Sequence, residues 1–192
     1  MTKKSKTEFI NDEKPDEAVY AISLDHSFAW AMMTNEGKVC SSGHADVTFS
    51  GDKPFSHQIG ILLSELYDMR KLVNEIGGIV LRLPKIQSAG PDIVMQKVMA
   101  IGLIKAFCLK HEIALACMQP SEISESAVSE ALKIMKSSCG LSSLADGKHE
   151  AEISALEALL STSEKMDDDA GTDDGDEEDL NVTINILMAG AA

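Results

Sequence analysis

Residues 18–25, Ala18-Val19-Tyr20-Ala21-Ile22-Ser23-Leu24-Asp25, form an apolar run that ends in a carboxylate. A second apolar run, Phe28 to Met33, follows almost at once, and a third, Lys38 to Gly43, comes after a glycine-containing turn. Short apolar runs separated by turn residues predict consecutive strands. We therefore expect a three-stranded meander with Asp25 at the carboxyl end of its first strand.

The chain beyond the meander alternates helical and strand-like patterns. The predicted elements are helices at 56–74, 92–111, 120–136 and 149–160, and short buried strands at 79–83 and 113–117. Gly77 and Gly78 are expected to end the first of these helices. Three adjacent strands followed by helix–strand units predict an α/β domain, a mixed five-stranded sheet flanked by helices.

Length and charge suggest one domain with polar ends. We divide the 192 residues into a flexible leader at 1–17, a folded domain at 18–162 and an acidic tail at 163–192. Nine carboxylates and no basic residue lie between Asp167 and Asp179, so that stretch holds most of the net charge of −14 and is expected to be disordered. Residues 181–186 alternate polar and apolar, which fits either a terminal strand or an unstructured end.

Localisation is predicted from what the sequence lacks. No apolar run is long enough to span a membrane, and the first residues carry no signal-peptide pattern. The four cysteines are far apart and lack a paired metal-ligand spacing, which favours reduced thiols. We expect a cytoplasmic protein with no membrane partner.

Two features could carry metal chemistry. Two-metal phosphodiester cleavage needs carboxylates that converge on cations about 4 Å apart, and Asp25 is one candidate. His149 and Glu152 lie three residues apart, so they share a helical face near a helix start. Ordinary structural roles remain open for all three residues, because acids often end strands and favour helix N-termini.

The stretch Ile22 to Met33 resembles the opening of RuvC-type Holliday junction resolvases, especially phage members. Those proteins begin with an aspartate after an apolar strand, a turn, a tryptophan and a second strand. Residues 37–43 resemble their third strand, and 118–122 resemble the turn before a main helix. His149-Glu150-Ala151-Glu152 falls where the family carries its last acidic pair. The resemblance covers about 19–160 and implies a ribonuclease-H-like fold.

The resemblance also implies an activity. It implies a structure-selective endonuclease that hydrolyses phosphodiesters in branched DNA, with Mg²⁺ or Mn²⁺ as cofactor. Asp25, His149 and Glu152 would then be the catalytic residues and the metal ligands. A homodimer is implied as well, since residues 92–111 correspond to the helix through which the family dimerises.

The chain departs from the family pattern at three places: His26 replaces the usual proline of the first turn, 123–126 lacks the family's lysine, and Arg82 replaces an acid. The second catalytic carboxylate of the family is a glutamate at the end of the fourth strand, where this chain has Arg82. A guanidinium cannot ligate a cation and repels one at close range. Arg82 could instead grip a phosphate of DNA together with Lys85, and His26 could contact a phosphate from the first turn.

Further interpretations follow from this departure. The alternative to a nuclease is a catalytically silent ribonuclease-H-fold protein that binds DNA or a protein partner. A third class, such as an actin-like module, lacks support because no glycine-rich phosphate loop is present. The acidic tail is interpreted as a competitor of DNA, as a docking segment for a basic partner or as an aid to solubility.

Overall fold

Three consecutive strands form the antiparallel meander that the apolar runs within residues 18–43 predict. A computed structural model describes residues 5–8, 14–25, 27–49, 55–84, 90–139 and 149–170. The strands are β1 (Ser5–Glu8), β2 (Glu17–Ser23), β3 (Ser27–Thr34), β4 (Val39–Thr48), β5 (Glu75–Arg82) and β6 (Leu115–Met118). The helices are α1 (Phe55–Lys71), α2 (Pro91–Lys110), α3 (Glu125–Cys139) and α4 (Glu150–Ala170), with one 3₁₀ turn at Pro120–Glu122.

The sheet is mixed, as predicted. Its strand order is β1-β4-β3-β2-β5-β6. The neighbouring strands β1, β4, β3 and β2 pair antiparallel, and β2, β5 and β6 pair parallel. The five predicted strands are confirmed. A sixth, β1, lies in the segment that we expected to be a leader, where it pairs with the outer edge of β4. The β3–β4 turn closes on Gly37, whose φ of 76° suits a residue without a Cβ.

Successive side chains of the central strands point to opposite faces of the sheet and pack in two hydrophobic cores, one on each face. Tyr20, Ile22 and Leu24 point to the face covered by α1 and α2. Ala21 and Val80 point to the face covered by α3 and α4. Burial on both faces explains why these strands are continuous apolar runs rather than alternating ones.

The prediction that Gly77 and Gly78 end the first helix was wrong. Gly77 and Gly78 lie inside β5, and α1 already ends at Lys71. Ala18 pairs with Ile76 and Val19 pairs with Gly78, so Gly77 is the extra residue of a bulge between β2 and β5. Glycine is common at such bulges.

The last helix is longer than the predicted 149–160, because α4 continues to Ala170. Residues 171–192 lie outside the described residues, so the prediction of a terminal strand at 181–186 lies outside them too. In the described part of the chain, no helix combines the length and the apolar composition needed to cross a membrane.

Candidate functional site

The carboxyl ends of β2 and β5 bring Asp25 and Arg82 to the same edge of the sheet. The two strands are parallel, and Ser23 pairs with Arg82 in their register. Asp25 follows β2 by two residues, and its backbone N–H donates to Oγ of Ser23 over 3.4 Å. The sequence therefore placed both residues correctly at strand ends, and the parallel pairing makes them neighbours.

Arg82 lies between two carboxylates. Its Nη1 donates to Oε2 of Glu157, on α4, over 3.0 Å, and its Nε lies 3.6 Å from Oδ2 of Asp25. The second distance is too long for a hydrogen bond, so that contact is electrostatic. The side chains of Asp25, Arg82 and Glu157 are only 11%, 8% and 14% exposed. We call these three residues the Arg82 cluster.

Glu152 is fully buried and accepts hydrogen bonds from three side chains. Ser42 Oγ donates to Oε2 over 2.5 Å, while Nδ1 of His44 and Nδ1 of His149 lie 2.8 and 3.2 Å from Oε1. An ionised carboxylate can only accept, so both imidazoles carry a proton on Nδ1. We call these four residues the Glu152 cluster.

The charge state of Glu152 follows from these contacts. Burial raises the pKa of the carboxyl, but hydrogen bonds from His44 and Ser42 and the nearby His149 outweigh this effect. The pKa consequently lies below its ordinary value of 4.5. Glu152 is thus an ionised group that fastens the start of α4 to β4.

A buried lysine supports the Asp25 turn from the other side. Lys97, on α2, donates from Nζ to the backbone oxygen of Asp25 over 2.8 Å, and its Nζ lies 5.9 Å from the ring centre of Phe49. Burial lowers the pKa of Lys97, and the negative charge of Asp25 opposes that shift. The ammonium group therefore holds the turn that carries Asp25.

Sequence reasoning missed four of these residues. The positions Ile93, Lys97, Ala100 and Ile104 share one helical face, so Lys97 could have been recognised as a buried charge. No sequence signal marks Glu157, Ser42 or His44, because their partners are 75 to 110 residues away. Of the predicted site residues, His26 and Lys85 lie outside the described residues.

The predicted site residues therefore fall into two clusters. His149 and Glu152 contact each other, as their spacing predicted, while Asp25 contacts Arg82. Both clusters include a carboxylate from α4. Their roles as catalytic residues and metal ligands stay predictions.

The residues present do not fit a Mg²⁺ or Mn²⁺ ion of the kind that the resemblance implies. The fixed positive charge of Arg82 lies against Asp25, the first expected ligand. Both oxygens of Glu152 already accept hydrogen bonds. Among the residues described, no group of three or more His, Cys, Asp and Glu side chains is arranged to hold a metal ion.

Comparisons with known proteins give a structural match alone. No protein-family model matches the sequence, and no curated protein matches it. The structure of Thermus thermophilus RuvC in complex with a Holliday junction substrate is similar, with a TM-score of 0.54 and 12% identity over 76% of this chain and 91% of that chain. A second Thermus thermophilus RuvC structure has a TM-score of 0.49 and 13% identity over 75% of this chain and 92% of that chain.

The first of these matches shows a fold. It confirms the predicted α/β class and the fold that the resemblance implied, while the likeness to phage members stays a prediction. The identity is too low for the match to show activity or ligands. The chain has the ribonuclease-H-like fold seen in RuvC Holliday junction resolvases.

Proposed function

We propose that this chain binds branched DNA through its ribonuclease-H-like domain and does not cleave it by two-metal hydrolysis. The observation that carries the proposal is the Arg82 cluster. A guanidinium bridges Asp25 and Glu157 at the edge of the sheet where the resemblance expects cations. The chain thus follows the catalytically silent alternative of the two classes considered from sequence.

The electrostatics of Arg82 support the absence of hydrolysis. Two unit charges 4 Å apart interact by about 4 kcal/mol at an effective dielectric constant of about 20. The guanidinium would repel a cation on this scale, and it already neutralises one of the two carboxylate charges, Asp25 and Glu157, that would attract the cation. The Arg82 side chain is 8% exposed, so solvent screens little of this repulsion. The charge of Asp25 is therefore compensated by the Arg82 side chain.

Support for branched DNA comes from the fold. A solved structure with the same fold is RuvC bound to a Holliday junction substrate. The Arg82 guanidinium forms ion pairs with two carboxylates, so its role is to neutralise Asp25 and Glu157. We therefore assign the contacts with DNA phosphates to Lys85 and His26. A domain at 18–162 would carry these contacts.

An apolar stripe on α2 supports a homodimer. Met95, Val98, Met99 and Leu109 are 60%, 51%, 43% and 82% exposed, and nothing lies within 4 Å of a Cβ built on Gly102. These positions recur along one side of the helix at spacings of three, four and seven residues, as in a helix–helix seam. We propose that two copies pair through this stripe, which would place two DNA-binding edges in one particle.

The acidic segment 167–179 would act as a DNA competitor. A polyanion tethered to the domain raises the local concentration of negative charge near any basic surface. Deleting residues 171–192 should tighten binding to linear duplex more than binding to a junction, which gel-shift titrations of both DNAs would measure. An unchanged ratio of the two affinities would leave the tail without a role in selectivity.

A binding and cleavage assay tests the proposal. The wild-type protein is titrated with a synthetic four-way junction and with a linear duplex of the same sequence, in EDTA and in Mg²⁺ or Mn²⁺. We expect junction-selective binding with no metal requirement and no cleavage product. Equal affinity for both DNAs would overturn branched-DNA recognition.

The same assay tests the nuclease alternative. That alternative requires Asp25, His149 and Glu152 to act together with a metal. It predicts a product that needs Mg²⁺ or Mn²⁺ and disappears in Asp25→Asn. Such a product would overturn the silent assignment.

A further inference from the structure

We propose that the open edge of β6 pairs with residues 181–186 of the same chain, which add to the sheet as an antiparallel strand. We call these residues the terminal segment. The pairing does not depend on DNA recognition, so either proposal can fail while the other holds.

β6 is the outermost strand on the parallel side of the sheet, and the part of the chain that the structure describes places no strand beyond it. The backbone oxygens of Ala114 and Met118 accept hydrogen bonds from β5 over 2.8 and 2.9 Å. Successive residues of a strand direct their N–H and C=O groups to opposite sides, so those of Leu115 and Cys117 are directed away from β5. Such an edge is a template for the pairing of another strand.

The terminal segment has the pattern of a strand with one buried face. Its apolar residues are β-branched and occupy every second position: Val182, Ile184 and Ile186. Side chains at alternate positions of a strand share one face. Leu115 packs against the core under α1 and α2, and Cys117, two residues later on the same face, is exposed. The apolar side chains of the added strand would cover Cys117 and extend that core.

The end of α4 lies near the carboxyl end of β6. Nζ of Lys165 lies 3.6 Å from Oε1 of Glu122, which follows β6 by four residues. α4 ends at Ala170, and the chain from 170 to 181 can span up to about 36 Å. The four residues of β6 span about 13 Å. The chain therefore arrives at the carboxyl end of β6 and runs back along its edge, which makes the pairing antiparallel.

Charge favours the same approach. Lys105, on α2, is exposed. Its positive charge acts on Cys117, where it opposes the rise in the thiol pKa that partial desolvation causes. Nine carboxylates and no basic residue lie between 167 and 179, just before the terminal segment. Attraction between exposed charges is weak, so it guides the approach, and the backbone and apolar contacts hold the strand.

Alkylation of Cys117 measures the pairing, because the added strand covers its thiol. Cys40 and Cys108 are buried, so the assay uses the full chain with Cys139→Ser and follows the Cys117 peptide by mass spectrometry. We expect iodoacetamide to react about tenfold more slowly with this chain than with the same chain ending at residue 180. A chain ending at residue 186 is the matched control, since it keeps the terminal segment and should react as slowly as the full chain.

A disulfide cross-link tests which chain and which face of the segment lie against β6. In the full-length Cys139→Ser protein, mild oxidation should join Cys117 to at least one of Val182→Cys, Ile184→Cys and Ile186→Cys, because opposed residues of paired strands are within disulfide reach. Thr183→Cys is the matched control on the opposite face and should not cross-link. The product should run as a monomer on a non-reducing gel.

Three outcomes would overturn the proposal. One is an equal alkylation rate of Cys117 in the full chain and in a folded chain ending at residue 180. Another is a cross-link found only in dimers, since the terminal segment would then pair with a second copy. The third is failure of all three apolar-face cysteines to cross-link, and this readout holds if the shortened chain does not fold, because it uses the full-length protein.

Discussion

Replacing Glu152 by glutamine should destabilise the protein strongly, because this residue fastens α4 to β4. The carboxylate is fully buried and accepts from Ser42, His44 and His149. Hydrogen bonds to a charged group contribute about 1.5–3 kcal/mol each, and breaking a buried charged contact costs about 3–5 kcal/mol. The three contacts share one carboxylate and do not add, so we expect a loss of about 3 kcal/mol for Glu152→Gln.

Urea unfolding followed by the fluorescence of Trp30, the single tryptophan, measures this loss. The indole is 2% exposed and donates from Nε1 to Glu65, so its emission reports on the buried core. On the scale for domains of this size, about 3 kcal/mol corresponds to a fall in Tm of about 6–12 °C. The matched control is Glu150→Gln, an exposed residue in the same helical turn, with an expected change within about 0.5 kcal/mol.

The result also separates two roles of Glu152. A carboxylate held ready for a metal repels its neighbouring ligands in metal-free buffer, so neutralising it would leave stability unchanged or raise it. A structural anchor gives the opposite sign. Glu152→Gln as stable as the wild type in EDTA would refute the anchoring role derived from the hydrogen bonds.

Further predictions concern charge, pH and assembly. The pKa of Glu152 is lowered from 4.5 in the folded protein, so its ionised carboxylate stabilises the fold fully above about pH 4.5. This stabilisation is lost as the pH falls through the folded-state pKa. The difference in unfolding free energy between the wild type and Glu152→Gln should therefore become smaller below about pH 4.5. A double-mutant cycle of Arg82→Gln and Glu157→Gln should give a coupling energy of about 1–3 kcal/mol by urea unfolding, and a value near zero would contradict their ion pair. The pKa of Lys97 is lowered from 10.5 in the folded protein, so the unfolded chain holds this proton more tightly. The free energy of unfolding of the wild type should therefore rise with pH between the folded-state pKa and about 10.5. Melts recorded over this pH range should not show the rise for Lys97→Met. Val98→Glu should convert the proposed dimer to a monomer in light scattering, whereas a dimer whose mass is unchanged in Val98→Glu would exclude the α2 stripe as the interface.

Local patterns in the sequence were enough to predict the strand order of the meander and the edge of the sheet that carries Asp25. The apolar runs have the length of buried strands, and β5 ends at Arg82, one residue before the predicted end at 83, although it begins at Glu75 and not at the predicted residue 79. The spacing of His149 and Glu152 likewise predicted their contact. These features depend on residues close in sequence, so pattern and period specify them.

The partners of the charged side chains could not be predicted in this way. Glu152 meets Ser42 and His44 across more than 100 residues, and Arg82 meets Glu157 across 75. Such contacts depend on how α4 crosses the sheet, which no local period encodes. The arginine at a position where the resemblance expects an acid was visible in the sequence, and so was Asp25, but its second partner, Glu157, was not.

A crystal structure of the wild-type protein grown in Mn²⁺, with anomalous data collected for that ion, would show whether Arg82 or a cation neutralises Asp25. We expect Nη1 of Arg82 within hydrogen-bonding distance of Glu157, and no anomalous peak beside Asp25. A Mn²⁺ ion bound jointly by Asp25 and Glu152, with the Arg82 side chain displaced, would contradict this expectation.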